Sequence, residues 1–252
     1  MDDSTRILEQ RLAEALQDND VLRRELERAE AAARSAQDEL RLFAYATSHD
    51  LQEPLRSISS YAQLLERQYA GNAEAAEFTT YIVDAVNRMT VLIRDLLTYS
   101  RLPKPQKRTV SLTGLVQWAM MSLDAPIREA KARIIYENLP EVQGDESQMV
   151  QVLQNLFSNS LKYRSAVPPE IEIVAEEGDD AYTISVRDNG IGIEPRFHEQ
   201  VFGVFKRLHG REIPGTGIGL AICRKIVEGH EGKIWVESGG AQGSVFKFTL
   251  PF

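Results

Sequence analysis

His49 is followed at once by Asp50 and, four residues on, by Glu53. A neutral imidazole is nucleophilic near physiological pH, and a carboxylate can hold or take its remaining ring proton. Glu53 lies one helical turn further along the same face, whereas the adjacent Asp50 points about 100° away. Pro54 removes the backbone donor that would bond the carbonyl of Asp50, so a bend is expected just after the histidine. By itself this cluster is also what a solvated surface histidine looks like. Three later stretches change its meaning.

Asn155 and Asn159 sit four apart on one helix face, and Lys162 and Tyr163 follow. Amide oxygens suit Mg²⁺, a hard cation that keeps some waters and takes other ligands from phosphates; a neighbouring lysine suits a phosphate. Next, Asp188-Asn189-Gly190-Ile191-Gly192 follows a run with strand alternation. Glycines let a backbone approach a flat ligand closely, and the carboxylate can accept from an exocyclic amine, although the same residues also make a good turn. Finally, Gly215-Thr216-Gly217-Ile218-Gly219-Leu220 opens a helix, whose free N–H groups attract phosphate. No Gly-Lys-Ser/Thr follows, so this is not a Walker loop. A Rossmann reading is poor because no strand precedes it. The intervening residues 194–214, with Phe202, Phe205, Lys206 and Arg207, have the length and texture of a mobile lid.

The elements that must position these groups fall into two textures. Residues 5–47 lack Gly and Pro. Leu8, Leu12, Ala15, Asn19, Leu22 and Leu26, then Ala29, Ala33, Ala36, Leu40, Phe43 and Thr47, alternate in steps of four and three, the seam of a coiled coil. Asn19 on the seam is a register device. Steps of four from Phe43 through Leu51 to Leu55 then unwind the seam locally and leave His49 facing water. Gly71-Asn72 breaks the helix, and a second amphipathic helix is expected from about Glu74 to Ser100, with Phe78, Tyr81, Ile82, Met89, Leu92, Ile93 and Leu96 on one face. A lone hairpin buries too little, so two copies are expected to form a four-helix bundle.

Pro103 and Pro105 among basic residues mark a linker. The expected organisation is therefore a coiled coil over 1–40, a helical hairpin over 41–100, a linker over 101–108 and a mixed α/β domain over 109–252. In that last part, helices are expected over 112–130 (with Pro126 as a possible interruption), 145–164 with Asp145 as N-cap, and 217–228. Strands are expected over 133–137, 170–176, 182–187, 233–237 and 244–250, a short one ends near Val110, and the whole makes a two-layer α/β sandwich. The fold class is α+β.

The chain has 252 residues, is 43% hydrophobic and 26% charged, and carries a net charge of −8, the texture of a folded protein and a poor one for a nucleic-acid binder. Cys223 is the single cysteine, which rules out an internal disulfide. No apolar run approaches membrane-spanning length and the N-terminus is no signal peptide, so a cytoplasmic chain without membrane contact is expected. It reads as the output half of a longer receptor whose sensor domain is absent.

In order, Asn-x3-Asn-x2-Lys-Tyr, Asp-x-Gly-x-Gly, Phe-x2-Phe-x-Arg and Gly-x-Gly-x-Gly-Leu resemble the N, G1, F and G2 boxes of sensor histidine kinases, and Ser48-His49-Asp50-Leu51-x2-Pro54-Leu55 resembles their phosphoacceptor box. The Asp-Leu-Gln-Glu-Pro variant is most similar to the kinase modules of bacterial phytochromes. The match covers about residues 38–252. The resemblance implies a dimeric phosphotransfer hairpin followed by a Bergerat-type ATP-binding domain. It implies Mg²⁺ at Asn155 and Asn159 and phosphate at Lys162. Asp188 would face the adenine amine, and Tyr163, Gly190, Gly192, Gly215, Thr216, Gly217, Gly219 and Leu220 would shape the ATP pocket and lid hinges. Arg207 would meet the γ-phosphate. His49 would take that phosphate and pass it to a response-regulator aspartate. The family pattern makes Asp50 the assisting acid; helix geometry favours Glu53, and both stay open. Competing classes are an ATP-driven conformational machine of the same nucleotide fold, which the His49 hairpin disfavours, and a degenerate relay, which the full motif set disfavours. His198, His209 and His230 read as lid or loop surface residues, and Trp118 and Cys223 as packing residues.

Overall fold

The computed structural model describes residues 51–69, 72–208, 213, 215–237 and 243–252. His49, Asp50, His209, the expected coiled coil over 1–40 and Gly239-Gly240, the pair expected to separate the last two strands, lie outside the described residues.

The first described helix, α1, covers residues 51–68, and α2 spans Ala73–Arg101. Asn72 starts α2 as an N-cap: its side-chain oxygen accepts from the N–H groups of Glu74 at 3.0 Å and Ala75 at 3.1 Å. Leu55 of α1 and Val86, Ile93 and Leu97 of α2 form a small core between the two helices. Much of the remaining apolar surface of the hairpin is open, including Ile58, Leu65, Phe78, Tyr81, Ile82 and Met89.

The following domain is a sheet covered on one face by helices. Its strands are β1 (Arg108–Ser111), β2 (Arg133–Tyr136), β3 (Glu141–Gly144), β4 (Glu170–Glu177), β5 (Ala181–Asp188), β6 (Ile234–Glu237) and β7 (Val245–Pro251). Five of them form one sheet in the order β2-β4-β5-β7-β6, antiparallel except for the parallel β2–β4 pair. Alternation decides the buried face: Ile171 and Ile173 of β4, Ile184 and Val186 of β5, and Phe246, Phe248 and Leu250 of β7 all point into the core. Against them pack α3 (Leu112–Ser122), α5 (Glu146–Lys162) and α6 (Gly219–Gly229). In α5, Met149, Val152, Leu153, Leu156, Phe157 and Leu161 repeat at helical spacing and are buried.

Several expectations are corrected. The helix expected over 112–130 is two helices, α3 and α4 (Asp124–Glu129), because Pro126 is tolerated in a first turn but not in a helix interior. β3 escaped notice because four residues without apolar alternation carry no strand signal; it pairs with β1 in a separate two-stranded sheet. α6 opens at Gly219, two residues later than expected. Trp118 does not pack: it is 57% exposed on the outer side of α3. His230 is no surface residue but 1% exposed at the end of α6. Its Nε2 accepts from the N–H of Asp145 at 2.9 Å, which places the proton on Nδ1, where it is donated to the carbonyl of Ile226 at 2.8 Å. His198 is half-buried, its Nε2 lying 3.1 Å from the carbonyl of Ile193. Cys223 is fully buried, which pushes its thiol up to about 12.

The stretch between α2 and β1 is strapped to the domain. Asp145, the N-cap of α5, accepts from the N–H of Gln106 at 3.0 Å, and Gln148 Nε2 donates to the carbonyl of Pro103 at 3.1 Å. Ion pairs Lys107–Glu231 and Arg108–Glu146 follow.

Candidate nucleotide site

The C-terminal end of β5, the facing side of α5 and the start of α6 enclose two adjoining clefts of about 550 and 600 Å³, solvent in their mouths included. Asn159, Tyr163, Val201, Lys206 and Leu220 line both. Their size suits a nucleotide divided between them.

Asp188 ends β5 in the first cleft and is 8% exposed. Its Oδ1 accepts from the N–H groups of Gly190 at 2.9 Å and Ser244 at 3.1 Å, and its Oδ2 from the Ser160 hydroxyl at 3.3 Å. Burial pushes the carboxyl pKa up, and these three donors offset only part of that push. Gly190 permits the tight turn that follows. A Cβ there would lie 2.5 Å from the carbonyl oxygen of Tyr163 and 2.9 Å from Asp188 Oδ1. The neighbouring Asn189 faces away: its side chain bonds the N–H of Glu170 and the carbonyl of Pro168 at 2.9 and 3.0 Å and holds the preceding loop. Gly192, with φ of 75°, lies in the wall of the same cleft, together with Ile191, Ile193, Leu208 and Phe246.

The second cleft gathers Asn155, Asn159, Lys162, Gly215, Thr216, Gly217 and Gly219. Asn155 donates through Nδ2 to the carbonyl of Gly219 at 3.2 Å and so ties α5 to the start of α6. Gly217 has φ of 73°, and a Cβ there would meet the carbonyl of Lys206 at 2.8 Å, so only glycine fits this turn. Gly215 stands in open space. Loss of solvent lowers the pKa of Lys162, against the upward pull of Asp95. That carboxylate belongs to α2 and bonds Thr216 in the wall of this cleft.

Arg207 stands in the wall of the first cleft, not the second, and its Nη2 donates to the carbonyl of Ile213 at 2.6 Å. The segment expected to form a lid holds two short 3₁₀ turns, Pro195–Phe197 and Gln200–Phe202. Phe202 is buried edge-on against Phe246, with centroids 6.3 Å apart, whereas Phe205 is 53% exposed with φ of 61°. Glu53 is exposed on α1. No ion pair joins it to Arg56 among the described residues. His49 and Asp50 lie outside the described residues.

Sequence reasoning missed Asp95, Ser160 and Ser244. Ser160 lies inside the Asn155–Tyr163 segment and was legible as a polar residue on a buried face. Asp95 reaches the site only through the docking of α2 on α6, which no local pattern encodes.

A buried carboxylate acceptor beside glycine turns, and a helix N-terminus beside a lysine and two amides, define a nucleotide-binding α/β domain carried after a helical hairpin. Residues 39–105 match the His Kinase A (phospho-acceptor) domain, and residues 144–252 the family described as Histidine kinase-, DNA gyrase B-, and HSP90-like ATPase. The chain belongs to the sensor histidine kinases and resembles the phytochrome type. Cyanobacterial phytochrome A of Nostoc sp. is 46% identical over 219 residues, 84% of this chain and 28% of that protein. Phytochrome-like protein Cph1 of Synechocystis sp. is 43% identical over 235 residues, 91% of this chain and 30% of that protein. The chain thus spans 28% and 30% of the length of these two curated relatives. Among solved structures, full-length ShkA in complex with AMPPNP has a TM-score of 0.66 at 25% identity, covering 83% of this chain and 45% of that one. No helix among the described residues is long and apolar enough to cross a membrane.

Proposed function

We propose that this chain is the output module of a two-component signalling protein: an ATP-dependent protein-histidine kinase that phosphorylates itself on His49 and passes the phosphoryl group to an aspartate of a response-regulator receiver domain in the cytoplasm. The observation that carries this reading is the division of labour between the two clefts. One offers Asp188 as an acceptor for the adenine amine; the other collects Lys162, Thr216 and the N-terminus of α6, suited to phosphates. The AMPPNP bound by ShkA and the ATPase family of residues 144–252 support ATP as the nucleotide.

Mg²⁺ fits this site as a companion of the nucleotide. No group of three or more His, Cys, Asp and Glu residues suited to a metal is found among the described residues. Asn159 and Asn155 would supply amide oxygens, and the phosphates and water the rest. Bound there, the ion would neutralise charge that develops on the phosphates.

In the transfer, the unprotonated ring nitrogen of His49 bonds to the γ-phosphorus, the bond to the bridging oxygen of ADP breaks, and the remaining ring proton passes to Asp50 or Glu53. The chain's contribution is positioning and charge. A second copy of the chain completes the hairpin: the exposed apolar residues of α1 and α2 repeat at helical spacing, as a four-helix bundle requires.

Incubation with γ-labelled ATP and Mg²⁺ tests the reading. The label should appear on the chain, survive alkali, be lost in acid, and move to an added receiver domain. A chain that binds ATP and never takes label would contradict it.

A further inference from the structure

We propose that Ser160 is the positioning residue that makes this site choose a 6-aminopurine over a 6-oxopurine, by fixing the hydrogen-bonding sense of Asp188 whatever its protonation state. The inference rests on the nucleotide reading above and extends it to base selection.

The argument is an inventory of lone pairs and protons. Asp188 Oδ1 already accepts two backbone N–H bonds, from Gly190 at 2.9 Å and Ser244 at 3.1 Å, which fills its two sites. Oδ2 receives the Ser160 hydroxyl at 3.3 Å and keeps one lone pair for a ligand. An ionised Asp188 therefore shows the cleft an acceptor, which matches an exocyclic amine and opposes a carbonyl.

Burial complicates this picture. Asp188 is 8% exposed, and desolvation draws its carboxyl toward the neutral form. A carboxylic acid at the cleft wall would donate to the ligand and so welcome the oxo group of inosine or guanine. Ser160 removes that possibility. It is 3% exposed, and its Oγ also lies 3.2 Å from the carbonyl of Leu156, one turn back in α5. When Asp188 is ionised, the hydroxyl donates to Oδ2. When Asp188 takes a proton, it stays on Oδ2, whose O–H donates to Ser160 Oγ, and the Ser160 hydroxyl turns to donate to the carbonyl of Leu156. In both states the lone pair on the cleft side of Oδ2 stays an acceptor. The other titratable or charged groups sharing this cleft are Tyr163 at the end of α5 and Lys206 and Arg207 of the lid; none bonds the Asp188 carboxyl.

The test is calorimetric affinity for ADP and IDP, with Mg²⁺, for the wild-type chain, Ser160→Ala and Ser160→Thr, between about pH 8 and about pH 5.5. The ratio of the two affinities cancels the phosphate chemistry that both nucleotides share. In the wild type the ratio should stay level. In Ser160→Ala it should fall by about tenfold toward low pH, the scale of one hydrogen bond reversed in sense. Ser160→Thr, which keeps the hydroxyl, should restore the level profile. A wild-type ratio that falls with pH, a level ratio in Ser160→Ala, or an equal loss for both nucleotides at every pH would each overturn the inference. The first of these needs no variant to fold. Absence of ADP binding by the wild type at any pH would instead overturn the nucleotide reading beneath it.

Discussion

Thr216 donates its hydroxyl to Asp95 Oδ2 at 2.5 Å, a bond that joins the glycine-rich turn before α6 to the second helix of the hairpin. Nearby, Lys225 Nζ donates to the carbonyl of Tyr99 at 2.6 Å and lies 4.5 Å from the centroid of its ring. These contacts hold α2 against α6 and place a carboxylate in the cleft where phosphates are expected. A triphosphate would meet like charge there. Replacing Asp95 with Ala should therefore tighten ATP binding by about three- to tenfold, on the order of 1 kcal/mol, the scale of one like-charge contact at a partly exposed site. Calorimetry reads this directly; unchanged or weaker binding would show that Asp95 does not oppose the nucleotide.

Gly190→Ala should damage the first cleft. The added carbon would stand 2.5 Å from the Tyr163 carbonyl, which accepts from the N–H of Ile191 at 3.0 Å, so the turn must open and Asp188 must lose a donor. The expected result is a stability loss of about 1–3 kcal/mol and ADP affinity reduced by at least about tenfold. Thermal unfolding and calorimetry on the same sample would check both, and an unaltered affinity would count against Asp188 as the base acceptor.

His230 should make stability depend on pH. Burial lowers its pKa below the ordinary value of 6.5, and Lys107 adds to that, while the Ile226 carbonyl and Asp145 pull the other way. The folded state then binds fewer protons than the unfolded one between the lowered pKa and 6.5. Its contribution is fully present above 6.5 and is lost as pH falls through that window. A protonated ring would also turn a donor toward the N–H of Asp145, at the start of the α5 cap that holds Gln106. The melting temperature of the wild type should drop more steeply than that of His230→Asn as pH is lowered below 6.5. Parallel slopes would remove His230 as the cause.

The hairpin should associate. Phe78 at 57%, Ile82 at 40% and Met89 at 44% exposure lie on one face of α2, too much apolar surface for a lone hairpin in water. Light scattering should give twice the chain mass at micromolar concentration, and Phe78→Glu with Met89→Glu should reduce it. A wild-type monomer would contradict the bundle.

How much of this was legible in the sequence differs by element. Asp145 was readable as a helix start because a cap is a local bond between a side chain and the next turn, whereas Asn72, which caps α2, was read only as part of a helix break. The strands carrying Ile171, Ile184 and Phe248 were readable because one face is buried and alternation follows. Asn155, Asn159, Lys162, Asp188 and the glycines could be named for the same reason: the spacing on α5 and the glycines flanking β5 and α6 are local. What escaped depends on contacts distant in sequence. β3 is defined by its partner β1, His230 by Asp145 eighty-five positions away, and Asp95 by Thr216 across 121. Trp118 misled because a large aromatic residue on a helix is ordinarily buried, and here it is not.

The central claim is that His49 receives the γ-phosphate of ATP held between Asp188 and the start of α6. The most direct measurement compares the wild type with His49→Gln in parallel, following acid-labile label from γ-labelled ATP and, on the same preparations, ADP affinity by calorimetry. The account predicts label on the wild type, none on His49→Gln, and equal ADP affinity for the two. Undiminished label on His49→Gln would contradict it.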